Sequence, residues 1–195
     1  MLLILDCIST LSMKVAGNGQ AKILTSLEVR ALLKDGFTSN RDRALFGICL
    51  YTACRISEAL HLHTSDVKLQ TIVFRKGNTK GKLDTREVIV TPPLEAILAD
   101  YRPKTGWYFP GKRGIRETLG RHAADRILKA ACQRIGVEGV STHSFRRTAL
   151  TMMSGAGVPL RTIQKISGHH DLGVLQKYLE VSPEQLLNAV LTLQF

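Results

Sequence analysis

Four short stretches of the chain carry side chains suited to holding an anion and moving protons. In STHSFRRTAL, His143 and Arg146 stand three residues apart and Arg147 follows; TACRISEAL places Glu58 three residues after Arg55. The run KGNTKGKLDTREV offers Lys76, Lys80 and Lys82, and ISGHHDLGVLQKYLEV sets Tyr178 nine residues after His169. Two arginines can grip both non-bridging oxygens of one phosphodiester, where charge accumulates in a pentacoordinate transition state. Imidazoles titrate near neutrality and can carry protons. A tyrosine hydroxyl attacking phosphorus would store the bond energy as a phosphotyrosine ester, so the reverse transfer would need no ATP. With a reference pKa of about 10, that hydroxyl needs a base or a strongly cationic neighbourhood. A fixed guanidinium pair can do what carboxylate-bound metals do in two-metal nucleases, so neither a metal nor a cofactor is expected.

Each feature has an ordinary reading when taken alone. An isolated H-x-x-R is usually a solvated basic face, a tyrosine on an amphipathic helix a half-buried core residue, and Arg55 an arginine snorkelling from a helix end. His169 with His170, or His61 with His63, could pair on a metal, but neither pair has cysteine or carboxylate companions at useful spacing. His122 and the hairpin lysines read as solvated or phosphate-facing, and Trp107 as a core or loop anchor.

Composition sets the frame. The 195 residues contain 27 Lys and Arg against 16 Asp and Glu, a formal net charge of +11, which favours a polyanionic partner. Apolar residues make up 44%, enough for one packed domain. Cys7, Cys49, Cys54 and Cys132 show no paired spacing, so buried thiols in a reducing cytoplasm fit better than disulfides or zinc. The opening MLLILDCIST is too short to span a bilayer, and no membrane association is expected.

The elements that must position these side chains are mostly helical. Residues 1–22 read as a tail and linker ending in VAGNGQAK, and residues 23–195 as one domain. TSLEVRALL opens with a Thr25–Glu28 capping box and offers Leu27, Leu32 and Leu33 for burial. Ser39 and Asp42 start a long apolar helix running toward Cys54, and RISEALHL follows as a short one. TIVFR and REVIV flank a glycine-bearing basic loop, which predicts a β-hairpin. PPLEAILADY returns to helix, WYFPGKRG reads as an extended turn, and RHAADRILKAACQRIG aligns Ala123, Ala124, Ile127, Leu128, Ala131 and Ile135 on one face. Helices are then expected from His143 to about Ser154, Leu160 to Ser167, Asp171 to Val181, and onward from Ser182. The fold class is mainly α with a small antiparallel β-sheet (α+β). On such a helix His143 and Arg146 share a face, with Arg147 turned away by about 100°.

In this order and spacing, Arg…Lys…H-x-x-R…G-H…Tyr resembles the active-site signature of the tyrosine recombinases, the phage-integrase family, and the likeness in texture extends over nearly everything after residue 23. The resemblance implies a catalytic-domain fold of that family and site-specific breakage and rejoining of double-stranded DNA through a 3′-phosphotyrosine. It implies catalytic roles for Arg55, Lys80, His143, Arg146, His169 and Tyr178. Tyr178 would be the nucleophile, His143 its assistant, His169 a phosphate contact, and Lys80 the acid for the leaving 5′ oxygen, with Lys76 and Lys82 as neighbours on the same loop. Glu58 would orient Arg55, and Lys76, Lys82 and Arg147 would bind DNA. A cytoplasmic, nucleoid-associated location follows.

Departures from the family pattern open alternatives. Members normally carry an N-terminal helical clamp, the core-binding domain, which is expected to be absent here. A minimal recombinase, a remnant, or a protein whose accessory DNA-binding partner supplies the clamp would each fit. A binding-only accessory protein, or an enzyme like a type IB topoisomerase, is the alternative function. TACR stands where many members have a glycine before the arginine, and Arg147 where a histidine is frequent. The final segment aligns Leu186, Leu187, Val190 and Leu191 as an apolar stripe; the resemblance implies that it docks on a neighbouring protomer in a tetramer on DNA.

Overall fold

The computed structural model describes residues 21–78, 85–176 and 183–193. Lys80, Lys82, Tyr178 and Cys7 lie outside the described residues. The chain enters through α1 (Ser26–Ala31), whose Thr25–Glu28 capping box forms as expected, and continues as a π-helical turn over Leu32–Gly36. Of the three leucines expected to bury, Leu32 is fully enclosed and Leu33 partly so, whereas Leu27 is 73% exposed. A six-residue helix covers only one narrow strip of core, and Leu27 points off it.

Around α2 (Asn40–Tyr51) the rest of the core is assembled. Ser39 caps it by accepting from the Asp42 N–H at 3.2 Å. Every residue from Ala44 to Leu50 is buried, as a helix enclosed on all sides requires. Phe46 stacks on Phe37 at 4.9 Å and tilts against Phe145 at 5.1 Å. A Cβ at Gly47 would stand 3.2 Å from Ile97 Cδ1, so its glycine lets α4 (Pro92–Ala99) lie close against α2. Next come α3 (Ile56–Leu60) and the predicted hairpin, β1 (Thr71–Phe74) antiparallel to β2 (Arg86–Ile89) with Phe74 opposite Arg86.

The segment read as an extended turn is instead a second small hairpin, β3 (Pro110–Gly111) with β4 (Gly114–Thr118). Two residues containing a proline give no alternating pattern to read. Trp107 sits edge-on to both His61 and His63, at 6.0 and 6.1 Å between ring centroids, which is the anchoring role expected of it.

The remaining helices are α5 (Arg121–Arg134), α6 (Ser144–Gly155), α7 (Leu160–Ser167), α8 (Leu172–Gln176) and α9 (Pro183–Leu191). Ala124, Leu128 and Ala131 of α5 face the core, with Ala123, Ile127 and Ile135 partly buried beside them. Cys49, Cys54 and Cys132 are buried free thiols. Among the described residues no helix is long and apolar enough to cross a membrane.

Between α2 and α3 the chain turns sharply through Ala53, whose φ of +49° is left-handed, although its methyl group is buried. That conformation costs a non-glycine residue about 1–2 kcal/mol. Ala53→Gly is therefore expected to raise stability by about 1 kcal/mol, a rise of about 2–4 °C in melting temperature for a chain of this size, in thermal unfolding followed by circular dichroism. A melting temperature lowered by more than the loss of one buried methyl, about 0.8 kcal/mol, would count against strain at this turn.

Candidate active site

The site begins at the turn just described. Arg55 precedes α3, and Glu58 in the first turn of that helix reaches back to accept the Arg55 backbone N–H at 2.8 Å. The same carboxylate accepts from Arg55 Nη1 at 3.1 Å and from Arg86 Nη2 at 2.9 Å. Glu58 is 1% exposed, so its carboxylate can stay ionised there only because it is paired and hydrogen-bonded. Burial pushes its pKa up, but hydrogen bonding and charge from Arg86, the Arg55 backbone and Arg146 outweigh this, and the net shift is downward.

Arg146 approaches from α6 and is 4% exposed. Its Nη1 donates to the Ala53 carbonyl at 2.5 Å and to the Ser167 carbonyl at 2.9 Å, tying the turn before Arg55 to the end of α7. Its Nη2 lies 3.0 Å from Nε2 and 3.2 Å from Nδ1 of His169. A guanidinium only donates, so a ring nitrogen must accept. Ser167 Oγ stands 2.8 Å from Nδ1 and 3.3 Å from the Gln164 carbonyl. The consistent assignment is an Nδ1–H donating to Ser167, the Ser167 hydroxyl donating to Gln164, and Nε2 accepting from Arg146. These contacts use three of the five Arg146 N–H bonds, leaving one Nη2 hydrogen and the Nε–H for an anion.

His169 follows Gly168, which ends α7 in the left-handed conformation with φ +67°. Burial, then the charges of Arg146 and Arg55, depress the His169 pKa to about 3, so the ring is neutral near pH 7. His143 stands at the residue preceding α6, exposed and without a side-chain capping bond. Its pKa is lowered by desolvation and by Arg121, Arg146 and Arg55, which keeps it neutral and able to accept a proton. The structure thus gathers Arg55, Glu58, Arg146 and His169 directly, with His143 within the same field of charge.

Not every expected site residue faces this cluster. Arg147 was expected on DNA but is 4% exposed, and its Nη1 donates to the Ala21 carbonyl at 2.6 Å. Next to it Thr148 Oγ1 accepts the Leu24 N–H at 2.8 Å. This side of α6 clamps the incoming chain, and Arg147 is an anchor for it. Lys76 is exposed at the start of the hairpin loop, and its backbone N–H donates to Thr85 Oγ1 at 3.1 Å. Arg86 is the residue that sequence reasoning missed; its position at the return of the hairpin loop was visible, but its pairing with Glu58 was not.

The architecture is that of known recombinase catalytic domains. The XerA recombinase structure superposes with a TM-score of 0.75 at 22% identity, covering 90% of this chain and 66% of that one. The catalytic domain of bacteriophage HP1 integrase superposes with a TM-score of 0.66 at 24% identity, covering 88% and 94% respectively. Residues 22–185 match the Phage integrase family, and the chain belongs to that family. Relatives include the tyrosine recombinase XerC of Rhodospirillum centenum, 33% identical over 76% of this chain and 45% of that protein. Another is the tyrosine recombinase XerA of Pyrococcus furiosus, 29% identical over 87% and 60%. The chain spans about half the length of the curated relatives it matches.

The buried imidazole makes stability depend on pH. Folded His169 binds a proton less readily than in the unfolded chain, so between pH 6.5 and about 3 the unfolded state takes up more protons and acidification favours unfolding. The depressed Glu58 carboxyl acts in the same direction, its contribution present above its ordinary pKa of 4.5 and lost as pH falls through the folded value. Melting temperature is expected to fall on acidification from neutrality. The part of that fall above pH of about 5, where carboxylates remain ionised, should flatten in His169→Asn. An unchanged slope in that variant would refute a neutral buried ring.

Proposed function

We propose that the chain is the catalytic domain of a site-specific DNA recombinase that cleaves and rejoins strands through a 3′-phosphotyrosine. The observation that carries this reading is the Arg55–Arg146 pair, both guanidiniums anchored on their inner side with donors to spare. A bound phosphodiester would present one non-bridging oxygen to the N–H donors of each, in the place where negative charge grows during attack. The formal charge of +11 supports a DNA partner, and structural neighbours include a XerH recombinase bound to its difH substrate.

The candidate nucleophile, Tyr178, lies two residues beyond the last residue of α8. Its phenol oxygen attacks phosphorus while the proton passes to neutral His143, and the bond from phosphorus to the 5′ oxygen breaks. Lys80 gives its proton to that leaving oxygen. A 5′ hydroxyl from another strand then attacks the phosphotyrosine, and the protons return along the same route. In DNA, phosphate charge offsets the repulsion from the two arginines, so His169 can regain a proton and donate from Nε2.

Leu186, Leu187, Val190 and Leu191 of α9 are each at least 60% exposed, an apolar stripe that water disfavours. A second copy of the chain covers it in the active assembly, a tetramer on DNA, so cleavage is linked to assembly.

Two measurements test this reading. On a nicked duplex that loses a short fragment after cleavage, the protein should form a covalent adduct that Tyr178→Phe abolishes. No adduct on any candidate site would favour a binding-only protein, and relaxation of arbitrary supercoiled plasmid would favour a topoisomerase. Deleting residues 183–195 should reduce both assembly on DNA and adduct yield. Unchanged assembly and cleavage would refute the docking role of α9.

A further inference from the structure

We propose that Arg86 is a positioning residue, tying the base of the β1–β2 hairpin to both Arg55 and His169 through Glu58 and Gly168. This rests on the recombinase reading above and deepens it. Arg86 begins β2, so it is where the loop carrying Lys80 returns to the fold. Its Nη2 donates to Glu58 Oε2 at 2.9 Å, the same oxygen that accepts the Arg55 backbone N–H. Its guanidinium carbon lies 4.3 Å from the centre of the Phe74 ring, directly across the hairpin.

On its other side the guanidinium is pressed against Gly168. A Cβ at that glycine would stand 2.9 Å from Arg86 Nη1 and 3.4 Å from both Cδ and Cζ. The absence of a side chain there admits the arginine beneath the residue that leads into His169. Arg86 is thus held between Phe74 and Gly168 while bonded to Glu58, so three segments of the site share one planar group. Its Nε–H is buried with no acceptor among the described residues. Burying an unsatisfied donor opposes stability, and the location is better explained by geometry imposed on neighbours.

A direct DNA contact would behave differently. The Arg86 side chain is 10% exposed and its charge is spent on Glu58. Removing it should leave ground-state DNA affinity nearly intact and affect the step in which Arg55 must meet the phosphorus centre. The shared Glu58 also means that losing either partner disrupts one common arrangement, so the two losses should not multiply.

The test uses the full chain with Arg86→Met, Arg86→Lys, Glu58→Gln and the Arg86→Met/Glu58→Gln double variant. DNA affinity is read by fluorescence anisotropy on the nicked duplex, and single-turnover adduct formation on the same DNA gives the rate. Arg86→Met should slow adduct formation by about 10- to 100-fold with affinity nearly unchanged. Arg86→Lys should recover part of the rate, and the double variant should be little slower than Glu58→Gln alone.

A wild-type rate in folded Arg86→Met, a loss of affinity as large as the loss of rate, or multiplying effects would each overturn the proposal. A catalysis-independent readout is the guanidinium resonance of Arg55 in arginine-labelled protein, identified with Arg55→Lys. It should shift in Arg86→Met, and an unmoved resonance overturns the proposal even if activity falls. If wild type forms no adduct, the recombinase reading fails, and this resonance alone decides whether Arg86 positions Arg55.

Discussion

A carboxylate removed from water must be neutralised where it lies, and Glu58 is removed almost completely. The site is organised by that requirement. Its two oxygens hold Arg55 by side chain and backbone and hold Arg86 from the facing hairpin, so the segments carrying those arginines cannot drift apart without exposing an unpaired buried charge. Arg146 adds the second constraint, closing on the carbonyls of Ala53 and Ser167 and on the His169 ring. Residues separated by up to 114 positions are thereby joined in one hydrogen-bonded cluster. The cations repel one another, and the depressed pKa values of His143 and His169 record that repulsion along with burial.

The arrangement has a functional logic. On the proposed reading, a phosphodiester entering the cluster would bring the negative charge that balances the arginines, with little reorganisation of the anchored guanidiniums. The inner N–H bonds of Arg146 are committed to backbone carbonyls, which fixes where its remaining donors point. On the same reading, histidines kept neutral by burial and neighbouring charge would accept a proton from a phenol or gain one beside a phosphate. Ala53 sits at the junction of these effects: its strained left-handed turn places a carbonyl on Arg146 and delivers the chain to Arg55 two residues later.

Much of this was legible in the sequence, for identifiable reasons. Helix α7 occupies Leu160–Ser167 as its bounding proline and glycine indicate, and α2 and α5 follow from caps and apolar periodicity. The Arg55–Glu58 pair needed only a spacing of three on a helix start. What failed depended on contacts between distant segments. Arg147 was expected on DNA, turned about 100° from His143 and Arg146, but α6 is covered on that side by residues 21–24. Leu27 looked apolar enough to bury, but its short helix had no room for it. Arg86 gave no local signal because its importance arises only where Glu58, Phe74 and Gly168 converge.

The central claim is that Arg55 and Arg146 share a single phosphodiester on a floor fixed from below. Its most direct test is a crystal structure of Tyr178→Phe bound to an uncleaved duplex. The account predicts one non-bridging oxygen of the scissile phosphate on Arg55 and the other on Arg146, with the Glu58 and Ala53 contacts retained. A phosphate held by only one of these arginines, or an Arg146 still turned wholly onto Ala53, Ser167 and His169 with DNA in place, would contradict it.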